Sequence, residues 1–463
     1  MKLVLAAAVV LILAFLTAEH RWRPAALGGA FLLRVGFPSV FSGTIFAGLH
    51  VSTLLVLAYA LVWPLAAPRS ESNGEKRLPQ IPLLCHVALV TVAVGTVMMS
   101  GSTATAMYAA TLTLNQLVGP YIFCMLIYST SYRSQSLYRD AGKLFAVVCV
   151  AEALIAIAVS SGTVAQPFQS SFATIDYWSS LGTRQAATLD HPLFLGMLLC
   201  AGLPMLAYFN SSLVVFFSAS IMVTGIALTQ SRIAASLAAI GIIYLLAFGI
   251  RSNIRRFGVM AIGAVGFVSA LNLGIFKDLL GRFADDQGSS LVRTQSWQFF
   301  LDTWNDFLVV GVGMEDSKGY FLQNGFRASG ESAAVAYAVG IGIPLTLLYF
   351  SLMVWMIGYG IRKSGRLTPA SLAALVAVIS IQLFSSISTE SAGGMVLWAA
   401  IGISLASPRS APVSAGLGAK RDRIGGARTL HRNVPVATRP PAADASHHPA
   451  GTGAGGFPRS RGS

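Results

Sequence analysis

Apolar runs of nearly membrane-crossing length recur from end to end of this 463-residue chain, and no other feature limits its possible folds as tightly. A helix needs about 20 consecutive apolar residues to traverse a hydrocarbon core. Stretches at 2–18, 46–67, 81–100, 106–128, 144–161 and 192–209 meet or approach that length, as do 212–229, 233–250, 257–276, 333–358, 370–388 and 391–407. They predict an all-α, polytopic membrane bundle of about twelve transmembrane helices within 1–407, followed by a tail at 408–463. Composition agrees: 11% of the residues are charged and 54% hydrophobic, against about 25% charged in an average soluble domain. So little charge cannot cover a water-soluble globule, which excludes a soluble glycosyltransferase or a Rossmann enzyme. The four cysteines, Cys85, Cys124, Cys149 and Cys200, lie in apolar runs with no CxxC pair, which excludes a disulfide framework and a structural zinc site.

Positive charge sets the expected sidedness, because short cytoplasmic loops collect Lys and Arg. With the amino terminus inside, 22 of the 32 basic residues fall on the cytoplasmic side, including Lys2, Arg139, Arg251, Arg366 and nine in the tail. Residues 25–43, interrupted by Arg34, Gly36 and Pro38, fit a re-entrant segment, an interfacial segment or a thirteenth span. The first segment reads as an uncleaved anchor, since Leu16-Thr17-Ala18 makes a poor cleavage site. The tail is rich in Pro, Ala, Gly and Arg and carries a net +7 of the chain's +14. It predicts a disordered basic cytoplasmic segment attracted to anionic membrane lipid, with no nucleic-acid partner, because aromatic side chains for base stacking are nearly absent.

Residues 277–331 form the one long hydrophilic interruption and are expected outside the cytoplasm, where chemistry on a water-exposed substrate would sit. Arg293, Trp297, Phe300 and Trp304 recur there at helical spacing, giving an aromatic face with a cation at its start. A surface helix with interfacial tryptophans fits the same pattern. Gly311-Val312-Gly313 follow and fit a tight turn or a close backbone approach; no Gly-Lys-Ser/Thr follows them, so this is not a phosphate-binding P-loop. Arg232, in Thr229-Gln230-Ser231-Arg232, falls at the outer end between two spans, where a guanidinium needs a partner, water or a ligand. Glu152 raises the same question in the fifth span. The seven histidines all lie outside the large loop, which excludes a Ser-His-Asp hydrolase or a histidine metal site in it. Asp285-Asp286 and Glu315-Asp316 read as solvated loop charge, and no metal or cofactor is expected.

The order of these features resembles the O-antigen ligase and O-antigen polymerase superfamily of bacterial inner membranes. The matching residues are Asp190-His191-Pro192 with Gly196, then Thr229-Gln230-Ser231-Arg232, then Arg293, Trp297 and Gly311-Val312-Gly313, and finally Glu331 before Gly342-Ile343-Pro344. The resemblance covers roughly 190–350, with two departures. Where ligases show a His-Asn pair this chain has Glu331-Ser332, and the proline that often precedes the Gly-x-Gly is missing.

The resemblance implies a multi-pass inner-membrane glycosyltransferase with its large loop periplasmic. Its donor would be a glycan on undecaprenyl diphosphate and its acceptor a glycan or lipid-linked sugar, with a flippase and a chain-length regulator as working partners. Polymerisation of repeat units into exopolysaccharide, capsule or O-antigen is the expected activity. An O-antigen ligase acting on lipid A core and a non-enzymatic flippase are the alternatives. Glu331, Arg293 and Arg232 are the expected catalytic residues, with Trp297, Trp304, Gly311, Gly313, Asp190 and His191 expected to bind substrate.

Overall fold

The computed structural model describes residues 2–39, 48–66, 81–100, 103–132, 136–173, 182–249, 281, 289–326, 332–382 and 392–408. Glu331, Asp285, Asp286, the expected span at 257–276 and the tail beyond Pro408 lie outside the described residues. Met1–Ser410 form one compact unit. Every regular element described in it is helical, as expected for a chain whose backbone polar groups must pair within their own segment.

The elements are α1 (Lys2–Leu16), α2 (Arg23–Gly36), α3 (Val51–Ala66), α4 (Leu83–Met98) and α5 (Thr103–Thr113). A π-turn at Leu114–Val118 leads into α6 (Gly119–Tyr132), followed by α7 (Leu137–Ser160), α8 (Pro192–Met205) and α9 (Ser212–Leu228). Next come α10 (Arg232–Tyr244), α11 (Ser289–Thr303), α12 (Ser317–Gln323) and α13 (Ala333–Ile341). The series closes with α14 (Ile343–Ser364), α15 (Pro369–Gln382) and α16 (Gly393–Ala406).

Four helical stretches are long and apolar enough to cross a membrane: Thr105–Ser131, Leu137–Ser160, Arg232–Gly249 and Ile343–Ser364. The helices at Val51–Leu65, Leu83–Met98, Pro192–Tyr208, Ser212–Leu228, Pro369–Gln382 and Gly393–Ala406 are apolar but shorter. The count of twelve is therefore not reproduced among the described helices. The stretch at 333–358, read as a single span, is also divided. Gly342 adopts φ +82 there, with Pro344 just behind it, and splits the stretch into the short, buried α13 and the long α14.

The amino-terminal arrangement differs from expectation in a way that matters for the site. Arg23 Nε donates to the Ala18 carbonyl (2.9 Å) and its Nη2 to the Trp63 carbonyl (3.3 Å), so the end of α1, the start of α2 and the end of α3 meet. At the opposite end of α2, the Phe37 carbonyl pairs with His50 Nε2 (2.8 Å), just before α3 begins. Residues 23–37 thus run the full length of α3 and antiparallel to it, and α1 runs parallel to α3. Up to Phe37, the segment read as re-entrant, interfacial or a thirteenth span therefore lies along α3 from end to end. Pro24, Leu27 and Gly28 line a crevice with Thr130, Leu137 and Asp140, which places the start of α2 at the same end as Arg139. Lys2 therefore moves away from that basic end, and Arg21 and Arg23 join it.

Small residues allow the remaining helices to approach closely, as is usual where lipid supplies little drive for association. A Cβ on Gly225 would stand 2.9 Å from the Ala153 side chain of α7, and one on Gly402 2.8 Å from the Cys124 carbonyl of α6. Trp398 of α16 is fully buried, with Tyr121 edge-on at 5.2 Å and its Nε1 donating to Tyr349 OH (3.3 Å). The four cysteines are buried and free; Cys149 and Cys200 thiols donate to the Leu198 and Ala234 carbonyls.

Candidate functional site

Two sequence motifs far apart in the chain are joined by a strap at 182–191. His191 is the N-cap of α8; its extended backbone lets Nδ1 accept from the Leu193 amide at 3.0 Å. The proton of the neutral ring is thereby assigned to Nε2. Burial, with the Arg184 charge nearby, pushes His191 down to about 3, so the ring is neutral at physiological pH. Upstream, Arg184 Nε donates to the Thr229 carbonyl (2.9 Å) and the Gln185 amide to the Leu228 carbonyl (3.0 Å). Gln230 Nε2 returns a bond to Thr183 Oγ1 (2.8 Å).

These bonds fix the turn from which Arg232 begins α10. Gln230 takes a left-handed φ of 51°, costly for a side chain with a Cβ and sustained by the strap above it. Ser231 Oγ accepts from the Ala234 amide and caps the helix. Gly196 of α8 faces this turn, where a Cβ would stand 2.9 Å from Ala234. The strap that ends in Asp190 and His191, together with Gly196, thus packs against the Thr229–Arg232 turn. Arg232 is partly exposed at the helix start, where the backbone dipole also favours an anion.

Asp190 itself is turned inward. Its side chain accepts from Ser39 Oγ, and the residue is only 8% exposed. Burial pushes its carboxyl up, while the Ser39 hydroxyl and the Arg34 charge act in the opposite direction. Glu152, left open by the sequence, accepts from the Thr188 hydroxyl (2.7 Å) and amide (3.1 Å) and so anchors the same strap.

The residues of the hydrophilic segment gather around a satellite apolar core. Phe307, Phe321, Val335 and Val339 are buried there, with Phe299 and Phe300 of α11 packed against them. Arg293 lies partly buried on α11, whereas Trp297 and Trp304 are each 43% exposed. The aromatic face is therefore divided, with the phenylalanines holding the core and the tryptophans turned outward. Gly311 and Gly313 have a packing explanation. The Val312 amide donates to the Val339 carbonyl (2.8 Å) and the Gly313 amide to the Gly340 carbonyl (2.9 Å), pairing carbonyls that the end of α13 would leave free. A Cβ on Gly311 would stand 2.5 Å from the Ile341 nitrogen. Close backbone approach is the reason for glycine at this position.

Glu331 lies outside the described residues; Ser332 after it opens α13, whose Ala334 amide donates to Gln382 Oε1 (3.1 Å). Glu315, beside Gly313, has both carboxylate oxygens shielded from solvent and no hydrogen-bond partner among the described residues. Sequence reasoning passed over Arg184 and Ser39, and treated Arg34 only as an interruption. Their partners lie tens to more than a hundred positions away, so no local spacing announces them.

Residues 217–350 match the family model for O-antigen ligase, a stretch that includes Arg232, Arg293, Gly311 and Gly313. No curated protein and no solved structure matches the chain. Over these residues the chain is similar to a family of membrane glycosyltransferase-like ligases and polymerases, and its long apolar helices agree with an integral membrane protein. The match supports the O-antigen ligase superfamily, the group that the motif order resembles.

Proposed function

We propose that the protein polymerises undecaprenyl-diphosphate-linked repeat units at the outer face of the inner membrane. The observation that carries this reading is the placement of Arg232, an arginine at a helix start on a turn fixed by the Arg184, Gln185 and Gln230 bonds. In the reaction the acceptor hydroxyl attacks the anomeric carbon of the donor, and the bond from that carbon to the diphosphate oxygen breaks. The diphosphate leaves with the electron pair, and the hydroxyl proton passes to a carboxylate.

Arg232 and Arg293 suit the leaving group, since a guanidinium stays charged and meets phosphate oxygens in pairs. Glu331 takes the proton, at the position where the related ligases have histidine. Glu315, a shielded carboxylate with no hydrogen-bond partner among the described residues, is the second candidate for a hydroxyl contact. Trp297 and Trp304, turned outward, suit stacking on sugar rings. Transfer of a finished chain to lipid A core is the second reading, favoured by the ligase description of the matching family.

Replacement tests both parts of the scheme. Arg232→Ala and Arg293→Ala should each remove charge-assisted bonds worth about 1.5 to 3 kcal/mol, lowering the rate by one to two decades, with Lys restoring part. Glu331→Gln should cost about two to four decades while lipid-linked units accumulate at unchanged protein abundance. Wild-type turnover in both Ala variants would sink the diphosphate role.

A further inference from the structure

The strap beneath Arg232 is held from behind by a helix distant in sequence. Helix α2 lies along α3, and its carboxyl-terminal end meets Asp190. Ser39 Oγ donates to the Asp190 side chain there, and the Thr188 hydroxyl, whose one proton goes mainly to Glu152, lies 3.1 Å from the Val35 carbonyl as a shared acceptor. Arg34, Ser39, His50 and Asp190 enclose a small polar pocket, and none of the four is more than 8% exposed. A guanidinium buried among membrane helices is costly unless charge and hydrogen bonds compensate it, and the Asp190 carboxylate is near enough to feel its field. Neither Arg34 nor Ser39 belongs to the segment that matches the family model.

We propose that Arg34 and Ser39 are positioning residues for the transfer site, holding the strap through Asp190 so that it fixes the turn presenting Arg232. This rests on the assignment of Arg232 to the donor diphosphate. The path is continuous. Ser39 is bonded to Asp190, with the Arg34 guanidinium beside it in the same pocket; Thr188, bonded to Glu152 and next to Val35, fixes the middle of the strap; Arg184, Gln185 and Thr183 then fix Leu228, Thr229 and Gln230. Asp190 acts as a relay in this scheme and does not touch substrate, in keeping with its burial. Release of Arg34 or Ser39 lets the strap shift, and Arg232 loses alignment with charge that develops only as the diphosphate leaves. The expected signature is a fall in kcat larger than the rise in donor KM.

The test is a set of variants of the full chain in proteoliposomes supplied with undecaprenyl-diphosphate-linked repeat units. It uses Arg34→Gln, Ser39→Ala, Asp190→Asn, the double variant Arg34→Gln/Asp190→Asn, and Arg34→Gln placed in an Arg232→Ala background. Thermal unfolding is measured alongside to confirm that each variant is folded. Misplacement of a reacting group predicts a loss in kcat on the order of 10- to 100-fold for Arg34→Gln and a smaller one for Ser39→Ala. Donor KM should change less than kcat, and the double variant should be no slower than the slower single one. In the Arg232→Ala background, Arg34→Gln should add less than about twofold, because its effect passes through the missing side chain. Should Arg34→Gln fail to fold, Ser39→Ala in both backgrounds carries the same comparison. Full activity in Arg34→Gln and Ser39→Ala, or equal losses with and without Arg232, overturns the positioning role alone. Full activity in Arg232→Ala overturns that role together with the diphosphate assignment beneath it.

Discussion

Replacing Gly311 by alanine separates packing from substrate contact at the Gly311-Val312-Gly313 turn. The added Cβ would meet the Ile341 nitrogen at 2.5 Å and lie closer still to the Gly340 carbonyl, and backbone atoms at a helix end cannot swing aside as a side-chain tip can. The turn must therefore lift away, stretching the amide bonds from Val312 to Val339 and from Gly313 to Gly340. Two such bonds contribute about 0.5 to 1.5 kcal/mol each, and forced overpacking costs about 1 to 3 kcal/mol. Together these give about 2 to 6 kcal/mol of local destabilisation. Amide hydrogen exchange over the peptide containing Val312 and Gly313 reads this directly. At a factor of ten per 1.4 kcal/mol, protection should fall by about 30-fold or more. Gly319, inside α12 with open space where an added methyl would stand, is the control, and Gly319→Ala should leave exchange unchanged. Equal protection in Gly311→Ala and Gly319→Ala would refute the packing account. If transfer were also lost, substrate contact would be the reason for the glycine.

Three further outcomes follow from particular contacts. The His191 ring, held near 3 in the fold against an ordinary 6.5, binds fewer protons folded than unfolded between those values, so its contribution to stability is intact above about pH 6.5 and declines as pH falls toward 3. Thermal unfolding of His191→Asn, which keeps a capping acceptor, should show a weaker loss over that window, and an identical pH profile would contradict the assignment. Glu152→Gln keeps an acceptor for Thr188 and should unfold near the wild-type temperature, whereas Glu152→Leu strands the Thr188 amide, the hydroxyl keeping the Val35 carbonyl, and should cost about 1 to 3 kcal/mol; equal melting of the two variants would remove Glu152 from the strap. Truncation after Pro408 should leave polysaccharide output nearly intact, since the removed segment is polar and rich in Pro and Gly, and complete loss at unchanged abundance would assign it a specific role.

Much of the helical character was legible because apolar length is a one-dimensional property. What escaped was geometry that depends on partners distant in sequence. Arg34 made α2 look interrupted, and at 14 residues α2 is shorter than an ordinary span; its course along α3 shows only when Arg23 meets Trp63 and Phe37 meets His50. The split at Gly342 was hidden because apolar residues continue on both sides of it. At the site, the motifs Asp190-His191-Pro192 and Thr229–Arg232 were legible one by one, but their meeting through the strap was not. Nor were the strap bonds of Arg184 and the bond from Ser39 to Asp190, since each joins residues 45 or more positions apart. Close backbone approach at Gly311 was one of the options the sequence left open, and the end of α13 supplies the surface it approaches.

The central claim, glycosidic polymerisation from a lipid diphosphate donor, is tested most directly by product length. Purified protein in proteoliposomes, given only undecaprenyl-diphosphate-linked repeat units, should yield a ladder of lipid-linked products, each longer than the last by one unit, with one undecaprenyl diphosphate released per bond. Unchanged donor with movement across the bilayer would contradict the account in favour of a transporter. Transfer confined to an added lipid A core acceptor, with no ladder in its absence, would contradict it in favour of a ligase.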